Sequence, residues 1–104
     1  MLTDSIEVLV LCDHCCNNPQ LTEFSLLHYH QLSLIDIGND CFEYVTNVHI
    51  HDLPKLQRFV VGWKCFYHMD HKGEFHMSHC KSLRLLYIRL WSFNEFTVFD
   101  IQGK

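Results

Sequence analysis

The chain has 104 residues, 48% hydrophobic and 19% charged, with a formal net charge of −4. That length and apolar content fit one folded domain and exclude a disordered polar chain. The mild negative balance argues against a nucleic-acid footprint, and the longest apolar run, Val8 to Cys12, falls far short of the roughly 20 residues of a membrane helix and, flanked by Asp4 and Glu7, is too short for a signal-peptide core.

Taken in chain order, the apolar residues recur on a fixed frame. The first copy is the weakest: Ser5, Val8, Val10 and Cys15 occupy its leading slots, and Phe24, Leu26 and Tyr29 follow after a long connection, Cys16 to Glu23. In the second copy the slots hold Leu32, Ile35, Ile37 and Phe42, then Val48, Ile50 and Leu53 after a short connection. The third holds Leu56, Phe59, Val61 and Phe66, then Phe75, Met77 and Cys80 after another long one. The fourth holds Leu83, Leu86, Ile88 and Phe93, then Phe99 and Ile101. Val10, Ile37, Val61 and Ile88 are separated by 27, 24 and 27 residues, and only Ser5 breaks the apolar pattern. Such self-similarity signals stacked supersecondary units, none of which can bury its apolar side alone.

The alternating Val, Ile, Phe and Tyr favour strands on both legs of each copy, with no sustained helical stripe. Turn chemistry stands between them at Asn17-Asn-Pro19, Gly38-Asn-Asp40, Asp52-Leu-Pro54 and Lys72-Gly73.

The segments Leu32-Ser-Leu-Ile35-Asp-Ile37, Leu56-Gln-Arg-Phe59-Val-Val61 and Leu83-Arg-Leu-Leu86-Tyr-Ile88 resemble the L-x-x-L-x-L segment of the leucine-rich repeat family. The resemblance runs from about residue 5 to the end of the chain. It implies a right-handed, β-rich solenoid of stacked coils with little helix, divided at about 5–31, 32–55, 56–82 and 83–104. Two departures stand out. The family's asparagine position holds Asp40, Lys64 and Trp91, so its asparagine ladder is expected to be missing, and the return leg reads as strand rather than helix. The copies start almost on a boundary and stop before the next expected Leu. This predicts a segment of a longer array, with uncapped ends open to self-association.

The stretch FYHMDHKGEFHMSHC, Phe66 to Cys80, invites a metal reading through His68, His71, His76 and His79. The repeat frame offers a simpler one. His49 and His76 become outward neighbours on adjacent return strands, and His28, Asp52 and His79 share the next outward slot. Cys41, Cys65 and Ser92 share a small-residue slot beside the core Phe, and Cys80 joins Leu53 and Tyr29 in the core. Cys12 and Cys16 are left without a packing role. With no export signal, free thiols in the cytoplasm are expected, and no cofactor or metal.

No nucleophile elbow or phosphate loop marks an enzyme. In leucine-rich repeats partners bind across the x positions of L-x-x-L-x-L. Carried over, these form two exposed columns: Glu7, Leu34, Arg58 and Leu85, then Leu9, Asp36, Val60 and Tyr87. With the adjoining turn they predict a protein-binding patch of Arg58, Val60, Trp63, Arg84, Leu85, Tyr87 and Leu90, of the aromatic and Arg-rich kind that anchors interfaces. Two other functions compete with this one: a Cys/His metal-binding domain, and a truncated repeat without independent function.

Overall fold

In the computed structural model, which describes residues 5–67, 72–94 and 96–102, eight strands wind into about four turns of a β-solenoid. They are β1 (Val8–Leu11), β2 (Glu23–Leu27), β3 (Leu34–Ile37), β4 (Asn47–His51), β5 (Arg58–Val61), β6 (Gly73–Ser78), β7 (Leu85–Ile88) and β8 (Phe96–Ile101). Odd-numbered strands form one parallel sheet in the order β1-β3-β5-β7, and even-numbered strands form the other, β2-β4-β6-β8. Each turn thus gives one strand to each sheet. No helix occurs among the described residues, so none there is long and apolar enough to cross a membrane.

The expected register holds from the second turn onward. Ile35 pairs with Phe59 and then Leu86, and Ile37 with Val61 and then Ile88. On the other sheet Phe24, Val48, Phe75 and Phe99 align in sequence. The first turn departs by one residue: Leu9 pairs with Ile35 and Leu11 with Ile37, in place of Val8 and Val10. Because strand side chains alternate, that slip exchanges the faces. Val8 and Val10 are 52% and 60% exposed, while Ile6, Leu9 and Leu11 pack against the core. Ile6 thereby takes the slot expected for Ser5. The same shift puts Cys15 in the small-residue slot of Cys41, Cys65 and Ser92, and brings Cys16 to the Phe slot, where it also meets the core.

Between the sheets lies one apolar core. Leu32 and Leu56, Ile35 and Phe59, Ile37 and Val61, Val48 and Phe75, and Ile50 and Met77 are buried in register across it. At one end runs an aromatic column. The rings of Phe42 and Phe66 stack at 4.9 Å between centroids, those of Phe66 and Phe93 at 4.6 Å, and Phe24 leans on Phe42 at 4.5 Å. Offset aromatic stacking at such distances adds about 0.5–1.5 kcal/mol per pair beyond area burial.

The coils turn on left-handed residues that are not glycines. Positive φ recurs at His14, Asp40, Lys64 and Trp91, two residues later at Cys16, Phe42, Phe66 and Phe93, and on the return leg at His28, Asp52 and His79. Bulky residues seldom adopt this region, which costs roughly 1–2 kcal/mol each relative to the right-handed one. The repeat is thus written in backbone angles as well as side chains.

The side chains of Asp40, Lys64 and Trp91 make no ladder with one another, but their neighbours do. The Asn39 N–H donates to Asp13 Oδ1 (2.8 Å), and the Trp63 N–H donates to Asn39 Oδ1 (2.8 Å). The small-residue slot forms a second series. The Cys41 thiol donates to the Cys12 carbonyl (3.2 Å), the Cys65 thiol to the Gly38 carbonyl (2.8 Å) and the Ser92 hydroxyl to the Gly62 carbonyl (2.6 Å). Each rung joins one turn to the turn before it.

Candidate interaction face

The sheet β1-β3-β5-β7 turns its inward residues to the core and its alternate residues to solvent. With the corrected first turn, the two outward columns are Val8, Leu34, Arg58 and Leu85, and Val10, Asp36, Val60 and Tyr87. Glu7 and Leu9, expected there, are displaced by the one-residue slip, and Leu9 packs on the core instead.

Of the predicted patch, Arg58 lies beside Leu85 and Val60 beside Tyr87 on neighbouring strands. Trp63 and Leu90 occupy equivalent turns just beyond the ends of β5 and β7, tied together where the Lys64 N–H donates to the Leu90 carbonyl (3.2 Å). Tyr87 is 46% exposed, Trp63 43% and Leu90 64%, high values for large apolar side chains clustered on one face. Arg84 is exposed but sits just before β7, at the opposite end of the strand from Trp63 and Leu90, where its N–H donates to the Gln57 carbonyl. It therefore borders the patch rather than joining its aromatic end.

Two residues of this face were not anticipated. Arg89 places its guanidinium 5.6 Å from the Trp63 ring centre and 5.2 Å from that of Tyr87, and so links two predicted members. Its slot is filled by Gly38 and Gly62 in the preceding turns, so the column carried no side-chain signal. Trp91 is exposed at a left-handed corner. It was legible only as a missing asparagine.

The opposite sheet carries three histidines, His49 and His51 on β4 and His76 on β6. His49 and His76 are neighbours, as the frame predicted, and their rings stack at 5.4 Å with 7° between planes, with His51 5.9 Å from His49. Carboxylates flank this row: Glu74 Oε1 is 3.0 Å and Asp100 Oδ2 3.8 Å from His76, and Glu23 Oε2 is 3.9 Å from His49. His51 Nδ1 meets the Ser78 hydroxyl at 2.6 Å. Burial, and then the nearby His49, hold the His51 imidazole below its ordinary range.

Among the metal candidates, His68 and His71 lie outside the described residues. His76 stands on β6, and His79 at the corner after it, with its Nδ1 3.2 Å from Ser78 Oγ. Among the described residues no group of three or more His, Cys, Asp or Glu is placed to share a metal ion.

The buried thiols have little chemistry open to them. Burial pushes Cys65 up to about 11 and also raises Cys41 and Cys80, which keeps them protonated. No family model, no curated protein and no solved structure matches this chain.

Proposed function

We propose that this chain is a protein-interaction module of leucine-rich-repeat type, which meets its partner with the outer face of β1-β3-β5-β7 and has no catalytic role. The observation that carries the proposal is the Trp63–Arg89–Tyr87 cluster. Two large exposed rings share one guanidinium, and Leu85, Leu90 and Trp91 stand exposed around it. Arg and aromatic side chains are what binding hot spots concentrate. The rigid parallel sheet beneath fixes their spacing, so little ordering entropy is lost on docking. Arg58, Arg84 and Arg89 on or beside this face favour a protein segment that offers an apolar anchor flanked by acidic groups.

The family assignment rests on the L-x-x-L-x-L frame, which supplies the inward residues of three turns. The right-handed winding rests on the strong preference of parallel strands in one sheet for right-handed crossovers. The cytoplasmic location rests on Cys41, Cys65 and Cys80, which are buried singly as core thiols and suit a reducing compartment.

The test compares partners captured by three forms of the protein: wild type, Arg58→Ala with Tyr87→Ala, and a control altered on the other face at Glu74→Ala with His49→Ala. A partner retained by wild type and control, and lost by the Arg58/Tyr87 form, is the expected result. A partner held equally by all three places binding elsewhere. Nothing held by any form supports the reading of a truncated repeat with no independent function.

A further inference from the structure

The sulfurs of Cys12 and Cys15 lie 2.7 Å apart at the surface, on the turn that leaves β1. Asp13 and His14 form the turn between them, with His14 at φ 61°. A four-residue turn keeps its end Cα atoms within about 7 Å, which overlaps the roughly 4.4–6.8 Å span that a disulfide bridges. Closing the sulfur gap to a bond of about 2.05 Å needs movement of only a fraction of an ångström.

The second turn of the solenoid holds this geometry in place. The His14 N–H donates to the Asn39 carbonyl (2.7 Å), Asp13 Oδ1 accepts the Asn39 N–H (2.8 Å), and the Cys12 carbonyl accepts the Cys41 thiol (3.2 Å). The turn is therefore clamped at three successive residues. Of the other thiols, Cys41, Cys65 and Cys80 are buried and less available, while Cys16, like Cys15, is partly buried against the core.

We infer that Cys12 and Cys15 are a reversible redox pair, oxidised to an intramolecular disulfide by exchange with small-molecule disulfides such as glutathione disulfide. The exposed Cys12, as thiolate, attacks one sulfur of the small disulfide and expels one thiolate, leaving a mixed disulfide on Cys12. Cys15 then gives up its proton and attacks the Cys12 sulfur, expelling the second thiolate. The two cysteines lose two protons and two electrons together, and the small disulfide becomes two thiols. The order follows from the pair itself. The hydrogen bond shared with Cys12 raises Cys15 to about 11, so Cys15 keeps its proton until the mixed disulfide has formed. This inference does not depend on the interaction face.

The experiment equilibrates the full chain in buffers of reduced and oxidised glutathione, quenches with acid, and maps disulfides by mass spectrometry. Wild type and Cys16→Ser should both form the Cys12–Cys15 bond while Cys41, Cys65 and Cys80 stay reduced. Cys15→Ser should stop at a glutathione adduct on Cys12. The equilibrium constant for the internal bond should be on the order of tenfold larger in the folded chain than in the same chain in urea, equivalent to about 30 mV. A persistent Cys12 adduct in wild type, a bond from Cys12 to Cys16, or equal constants with and without urea would overturn the proposal.

Discussion

Cys65 shows how one atom serves two ends in this fold. Its thiol is fully buried beside Phe66 and donates to the carbonyl of Gly38 in the previous turn. The matching Ser92 makes the same bond with a hydroxyl. Cys65→Ser should therefore be nearly neutral. Cys65→Ala removes the donor and should cost about 1 kcal/mol or somewhat more. Urea denaturation of the two variants checks this, and equal losses would deny the donor role. His51 makes a prediction in pH. It faces His49 and His76 on its own sheet and Asp52 and His79 at the corner; its lowered pKa follows first from burial. The unfolded chain then binds the proton more readily. Stability should fall as pH drops below about 6.5 and level off once the folded form also protonates. The melting temperature should be lower at pH 5.5 than at pH 7.5, with a smaller difference in His51→Asn. No difference in the wild type would remove the effect.

At the scale of elements, close approach between turns sets the tightest constraint. A Cβ on Gly62 would stand 2.5 Å from Asn39 Oδ1 and 2.8 Å from the Gly38 carbonyl group. Gly62 has no positive φ, so the cost of Gly62→Ala is steric: about 1–3 kcal/mol, with the Asn39–Trp63 rung displaced. A melting temperature unchanged by Gly62→Ala would refute this. The strand frame itself was legible in the sequence, because inward Leu, Ile, Val and Phe recur with little freedom of register. The first turn was not. Ser5, Val8 and Val10 fit the frame nearly as well as Ile6, Leu9 and Leu11, since both sets alternate with apolar neighbours, and only packing against β3 decides between them. The left-handed corners were legible only in part: Asp40 and Asp52 fall within turn chemistry, whereas Lys64, Phe42, Phe66, Trp91 and Phe93 carry no such signal. Within the candidate face, Val60, Leu85 and Tyr87 followed directly from the frame. Arg89 did not, because its role is set by two rings from adjacent turns of the solenoid, Trp63 and Tyr87.

For the whole molecule, the stacking that builds the core leaves strands β1 and β2 at one end and β7 and β8 at the other with a single partner each among the described residues. Their free backbone N–H and C=O groups are templates for further pairing. Static light scattering should therefore show an apparent mass that rises with protein concentration, and a constant monomer mass at high concentration would exclude it. The association needs only the ends, so Arg58→Ala with Tyr87→Ala should leave it unchanged.

Every strand pairing joins a turn to its immediate neighbour, and none reaches past it. The molecule is therefore a spool under tension. Load applied between its two ends has no single clasp to break; it strips one winding and then meets the next. With copies 24 to 27 residues apart, each step should lengthen the tether by roughly 80–95 Å at full extension. An optical-trap trace should descend as a short staircase rather than one drop, each step parting one ring contact of the aromatic column.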